Sequence, residues 1–215
     1  MSPAKPKLKI LVSSTVYGIE ELLDRIYVLL TAAGYEVWMS HKGTVPVFSN
    51  RTAFENCLSA VEKCDLFLGI ITPNYGSGQD PKAPDEPSIT HQEIKKAIVL
   101  KKPRWLLAHD NVVFARLLLN NLGFKGREGR KSLKIRKTPI LDDLRVLDLY
   151  EDATIDLPDV ALDERDGNWV QKFRTTEDGS LFAVAQFYRY QEVEQFIKEN
   201  FPNDASPLPK QGGKP

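Results

Sequence analysis

Lys9-Ile-Leu-Val-Ser-Ser-Thr-Val-Tyr17 decides the fold when set beside Asp65-Leu-Phe-Leu-Gly-Ile-Ile71 and Ser88-Ile-Thr-His-Gln-Glu-Ile-Lys-Lys-Ala97. The first stretch is a short apolar run that stops at a hydroxyl-rich turn. The second is apolar almost throughout, as a strand covered on both faces must be. It ends in the loop Thr72-Pro-Asn-Tyr-Gly-Ser-Gly78. The third reads as a helix start carrying one acid, Glu93. If the two strands are parallel neighbours, their C-terminal ends form the crevice where open α/β sheets take ligands, and Glu93 overlooks it.

Working outward, Ile19, Leu22, Leu23, Ile26, Leu29 and Leu30 recur at helical spacing, and Gly34 supplies the stop. Tyr35 to Met39 alternates like a strand. Thr52 to Lys63 predicts an amphipathic helix with Phe54, Cys57, Leu58 and Val61 on one face. Thr90 to Lys101 predicts another, which Pro103 ends, and Arg104 to Ala108 a further strand. This alternation of strand and helix indicates a parallel sheet covered by helices on both faces, a three-layer α/β fold for which the flavodoxin-like strand order is expected.

Residues 8–110 are assigned to this core and 111–201 to a less regular C-terminal extension packed on it. Residues 1–7 read as a loose Pro/Lys-rich leader and 202–215 as a disordered tail. Within the extension, Val112 to Leu122 reads as helix. Trp169 to Phe173 and Leu181 to Ala185 read as short strands, and Tyr190 to Asn200 as a final amphipathic helix.

Composition narrows the function classes. Lys and Arg number 29, as do Asp and Glu, so the whole molecule lacks the net charge of a nucleic-acid or membrane-surface binder. No apolar run approaches the roughly 18 residues of a membrane helix, and the N-terminus has no apolar signal core. Two cysteines, Cys57 and Cys64, make no disulfide framework and point to a reducing, cytoplasmic setting. They read as core thiols rather than nucleophiles. His41, His91 and His109 lack partners at metal-ligand spacing, so no metal is expected. Lys125 to Lys137 holds seven basic residues and one Glu, but an acidic stretch, Asp142 to Asp166, follows and is able to neutralise it. Nucleic acid is therefore not the expected partner.

Spacing leaves two roles open for Glu93. At a helix start above the crevice its carboxylate would be held ionised by the helix field. There it could bind ribose hydroxyls, stabilise an oxocarbenium-like transition state or attack an anomeric carbon. Equally, Thr90-x-x-Glu93 fits a capping box, in which Glu93 only bonds back to the Thr90 backbone. Ser13, Ser14, Thr15 and Tyr17 end the first strand, where hydroxyls and amides hold phosphate or ribose, or else cap the next helix. No Gly-x-Gly-x-x-Gly or Gly-x-x-x-x-Gly-Lys-Ser/Thr sequence is present, which excludes a typical dinucleotide loop or P-loop. Thr72, Tyr75 and Gly76 follow the second strand. Gly76 and Gly78 allow close backbone approach to a ligand, and Tyr75 is a candidate to stack on a base, although Pro-Asn-Tyr-Gly is also ordinary turn chemistry.

These segments, with Glu55-Asn-Cys-Leu-Ser-Ala-Val-Glu-Lys-Cys-Asp65 and Tyr75-Gly76, resemble a family of unknown function that looks TIR-like and often precedes prokaryotic STAND-type NTPases. The likeness covers residues 8 to 108. His91-Gln-Glu93 resembles the segment in which NAD-cleaving TIR domains carry their catalytic glutamate, and nucleoside deoxyribosyltransferases place a nucleophilic glutamate at a comparable point. The resemblance implies Glu93 as the catalytic acid and the turns at Ser13–Tyr17 and Thr72–Gly78, with His91, as the frame for ribose and base. It implies NAD or a related nucleotide as substrate, no resident cofactor, and a signalling or antiphage-defence role. Self-association or a separately encoded NTPase partner is implied as well, since no NTPase module follows in these residues. The alternative it leaves is a non-catalytic interaction or nucleotide-sensing module. Two stretches depart from the TIR pattern: the loop containing Pro46, Phe48 and Arg51, and the acidic, proline-rich Gln79 to Pro87.

Overall fold

The computed structural model describes residues 7–76, 86–154 and 169–201. The expected leader, most of the Gln79–Pro87 insertion, the later part of the acidic stretch and the tail lie outside the described residues. Five strands, β1 (Lys9–Ser14), β2 (Glu36–Trp38), β3 (Leu66–Ile71), β4 (Arg104–His109) and β5 (Val170–Phe173), form one sheet in the order β2-β1-β3-β4-β5. Every pairing is parallel. This is the flavodoxin-like order, and β1 and β3 are direct neighbours, with Ser13 opposite Gly69 and Ser14 opposite Ile70.

Strand alternation divides the interior in two. Leu11, Trp38, Phe67, Ile71, Leu106 and Ala108 face one side. There they meet α2 (Ala53–Lys63), α3 (Ile89–Val99), α4 (Asp110–Asn121) and α6 (Arg145–Thr154) through Ala60, Val61, Ile94, Val112, Val146 and Leu149. Ile10, Val12, Val37, Leu68, Ile70 and Leu107 face the other. There they meet α1 (Glu20–Ala32), α7 (Thr176–Phe187) and α8 (Tyr190–Asn200) through Leu22, Ile26, Leu30, Ala183, Phe187 and Ile197. Between α4 and α6 lies a short helix, α5 (Gly126–Arg130). Gly69, in the central strand, marks where β3 and α3 pack tightest. A Cβ there would meet Leu106 Cδ2 at 2.7 Å and Ile94 Cδ1 at 3.3 Å.

The extension does more than pack on the core, because β5 completes the sheet by pairing with β4. Leu181 to Ala185 is not a strand; it lies within α7. A run of five apolar residues does not by itself distinguish the two. The helix start is set upstream by a capping box, in which Thr175 accepts from the Asp178 N–H and Asp178 accepts from the Thr175 N–H. The buried face of α2 also differs from the expected one. Asn56 and Ser59 are buried beside Ala60 and Val61, since Asn56 bonds the Phe48 backbone on both its N–H and C=O and Ser59 accepts from Arg51. Those bonds fasten the preceding loop to the helix.

The basic stretch folds back on the acidic one. Arg130, 3% exposed at its side chain, holds Asp148 and Glu151 of α6 at 2.6 Å each, and Arg127 reaches Asp152 at 2.6 Å. Arg130 is thereby committed inside the fold, and Arg127, half exposed, is paired at its surface. No helix among the described residues is long and apolar enough to cross a membrane.

Candidate functional site

The C-terminal ends of β1 and β3 are stitched together by short polar bonds. The Thr15 and Thr72 hydroxyls lie 2.5 Å apart, so one donates to the other; each lies 3.0 Å from the Asn74 carbonyl, which takes the remaining proton, and the Asn74 side-chain amide donates to the Tyr17 carbonyl at 3.1 Å. Gly76, at φ +87°, brings its backbone against Thr15, where a Cβ would sit 2.6 Å from Thr15 Cγ2. The freedom of this glycine thus serves contact between the two turns. Beside that seam opens a cavity of about 350 Å³, lined by Ser14, Thr15, Val16, Tyr17, Gly76, Ser88, Ile89 and Thr90. A second cavity, of about 370 Å³, shares Tyr17 and Gly76 and adds Asn74, Lys137, Thr138, Pro139 and Asp142.

Glu93 does not itself line the first cavity. It lies one turn into α3, is 7% exposed, and accepts a hydrogen bond from Ser13 Oγ at 2.5 Å. Burial pushes its pKa from 4.5 up to about 7, against the lowering pull of the Ser13 hydroxyl and the nearby Cys57 thiol. The capping role expected of Glu93, and the expectation that its carboxylate is held ionised, therefore need correcting. The capping box does not form: Ser88, not Thr90, is the N-cap, the first turn of α3 holds no acidic residue, and Glu93 turns inward to β1. Nor is its carboxylate held ionised by the helix field, because loss of water outweighs it. Cys57 and Cys64 are themselves pushed up to about 12, first by burial, so they are protonated at neutral pH.

The remaining expected residues divide by depth. Ser14, Thr15, Tyr17 and Gly76 line the cavity. Ser13, Thr72, Tyr75 and His91 are buried beneath it. Tyr75, 2% exposed, has no face free for a base. Its hydroxyl lies 2.9 Å from His91 Nδ1, its backbone N–H donates to Asp142, and Arg145 stacks over its ring at 4.5 Å. The exposed ring is Tyr17, at 68%. His91 Nε2 in turn meets Asp152 Oδ2 at 2.9 Å. Since Ser88 N–H donates to the Tyr75 oxygen, the phenol proton is directed to Nδ1, and Nε2–H donates to Asp152. Burial works to raise Asp152, but the hydrogen bond from His91 and the charge of Arg127 hold it below the usual carboxylate range.

Sequence reasoning missed Ser88, Asp142 and Asp152 as parts of this region. The acidic residues had no visible signal, since only the return of α6 onto α3 brings them in. Ser88 had one, being the serine directly before the helical run Ile89–Val99. Among the described residues no group of three or more His, Cys, Asp or Glu is placed to hold a metal ion. The chemistry on hand is an acid with a pKa near neutrality, hydroxyl and amide donors around an adjacent cavity, and a polar chain leading away from it.

No curated protein matches the chain. The family described as Domain of unknown function (DUF4062) matches residues 9–132, more than half of the 215, including β1, β3, α3 and both turns at the cavity, and the chain belongs to that family.

Proposed function

We propose that the chain is a nucleotide-processing domain that binds NAD or a related nucleotide in the Ser14–Thr90 cavity and cleaves its N-glycosidic bond with Glu93. The observation that carries this reading is a buried carboxyl group bonded to Ser13 at the end of β1, its pKa raised to about 7, one helical turn from Thr90 of the hydroxyl-lined cavity at the β1/β3 crevice. The TIR-like resemblance of His91-Gln-Glu93 supports it.

Nicotinamide leaves NAD as a neutral ring and needs no proton, so the ionised form of Glu93 is the useful one. It stabilises the ribosyl cation or bonds to C1′ as the C1′–N bond breaks. Water then supplies the new C1′–O bond and releases a proton. For a purine nucleotide the protonated form serves instead, as acid to the departing base. A pKa near neutrality makes both forms accessible. In either case the Ser13 hydroxyl must release the carboxyl, and Glu93 must turn toward the cavity that Thr90, one turn earlier on α3, lines.

The second reading is a nucleotide-sensing or self-associating module without chemistry. The 7% exposure of Glu93 and its bond to Ser13 favour that one. Nicotinamide release from NAD by purified, concentrated protein, measured beside Glu93→Gln, separates them. Activity in the wild type and its loss in a folded variant is the expected outcome. Equal activity in both removes Glu93 as the acid. Inactivity of both toward NAD and a panel of nucleotides, under conditions that promote assembly, moves the reading to the sensing module.

A further inference from the structure

The N-cap and first two residues of α3 form part of the wall of the first cavity. The helix's first intrahelical bond runs from Gln92 N–H to the Ser88 carbonyl, so the N–H groups of Ile89, Thr90 and His91 lie ahead of the ladder, at the positive end of the helix. Ser88, Ile89 and Thr90 all line the cavity, and no acidic side chain occupies the first turn.

Ser88 itself is the second observation. It is 1% exposed, it does not cap the helix, and its Oγ has no hydrogen-bond partner. Its backbone N–H is committed to the Tyr75 phenol. Oγ comes near enough to that phenol to favour its ionised form, but not into hydrogen-bonding geometry. A buried hydroxyl left unpaired is costly and rare. Here it belongs to a residue in the cavity wall, at the start of a helix whose first amides have no intrahelical acceptor, and an anionic acceptor reaching that corner would satisfy all of them together.

We propose that this corner is a phosphate subsite, in which oxygens of a phosphate ester accept from Ser88 Oγ–H and from the N–H groups of Ile89 and Thr90. The proposal rests on the nucleotide reading above and narrows it to phosphorylated nucleotides over free nucleosides. Tyr17, which borders both cavities, is then the exposed ring left to meet the base, and Lys137 stands in the adjoining cavity.

Titration calorimetry with AMP, adenosine and inorganic phosphate tests it on the full chain. AMP should bind at least about tenfold more tightly than adenosine, as charge-assisted hydrogen bonds require, and inorganic phosphate should compete with AMP. Ser88→Ala should erase most of that preference, weakening AMP far more than adenosine. Its melting temperature should stay level or rise, because alanine removes an unpaired hydroxyl and no cap. In the wild-type protein the amide resonances of Ile89 and Thr90 should move as inorganic phosphate is added, a readout that needs no variant. Equal affinity for AMP and adenosine, or no binding of AMP at millimolar concentration, overturns the proposal. So does a preference that survives Ser88→Ala and vanishes in Lys137→Ala, which would place the phosphate in the other cavity. Binding is read at equilibrium, so failure of the glycosidic chemistry alone would leave the AMP preference intact.

Discussion

Replacing Glu93 with glutamine should stabilise the protein at alkaline pH and do much less in mild acid. The carboxyl is wholly enclosed, and burial raises its pKa from 4.5 to about 7. Between those values the folded protein keeps a proton that the unfolded chain has released. Rising pH therefore favours unfolding across that window, and the effect levels off above about 7. At about 1.4 kcal/mol per pH unit the full interval is worth about 3 kcal/mol. The unfolded glutamate is already mostly ionised near pH 5, so about 2.5 kcal/mol of this falls between pH 5 and pH 8. Glutamine keeps an oxygen to accept from Ser13 and does not titrate. The variant-minus-wild-type stability should therefore grow by about 2.5 kcal/mol from pH 5 to pH 8. With a urea m-value of about 2–3 kcal/mol/M, that widens the gap in midpoints by about 1 M. Carboxylates held below their ordinary values, such as Asp143, Glu151 and Asp152, do not titrate in this window, and they are common to both proteins. A difference constant within about 0.5 kcal/mol across that range would show that water reaches Glu93 in the folded state, and the case for a near-neutral acid would fall with it.

Other perturbations read other parts of the molecule. Phe187→Ala should cost about 3–5 kcal/mol in chemical denaturation, since the ring is fully buried and meets Trp105 at 4.8 Å and Tyr35 at 5.9 Å; a loss below 1 kcal/mol would mean α7 is not part of that core. Gly69→Ala should destabilise by about 1–3 kcal/mol, because the new methyl meets Leu106 and Ile94, and a neutral result would show that β3 and α3 are packed more loosely than described. Arg130→Ala leaves, among the described residues, Glu151 with only Arg116 at 3.2 Å and Asp148 with only Arg127 at 3.8 Å and should cost about 1–3 kcal/mol, with a value near zero classing the cluster with exposed ion pairs. Asp152 has a depressed folded pKa, so the stability it contributes is present above about 3.8 and lost as pH falls through its folded value. Asp152→Asn should accordingly flatten the acid limb of the pH–stability curve, and an unchanged acid limb would remove the His91–Asp152 bond from the account.

The sheet was legible because its signals are local. Apolar runs such as Leu66–Ile71 must lie between two helix layers, and the amphipathic spacing of Ile19 to Leu30 states which face goes inward. Leu181–Ala185 was misread because an apolar run of that length fits a strand or a buried helix. The deciding information lay upstream in Thr175 and Asp178, and across the fold where Gly179 makes room for Leu22. At the site, the residues facing the cavity were recognisable as hydroxyls after a strand. Depth was not. Tyr75 and Tyr17 have the same chemistry and both follow strands, yet one is interior and the other is exposed. The difference comes from Asp142 and Arg145, which reach Tyr75 from some seventy residues away. The charge state of Glu93 escaped for the same reason, since its desolvation depends on α2 and β1 closing over it.

That dependence has a structural consequence. The family match ends at residue 132, but the polar chain behind the cavity does not. Ser88 N–H, the Tyr75 hydroxyl, His91 and Asp152 form a continuous line from the N-terminus of α3 to α6, and Asp142 holds the Tyr75 backbone from the same extension. Removing Asp152 takes away the acceptor at His91 Nε2 and leaves the Ser88–Tyr75 bond in place, so the segment after residue 132 contributes the far end of this line and its partly buried charge.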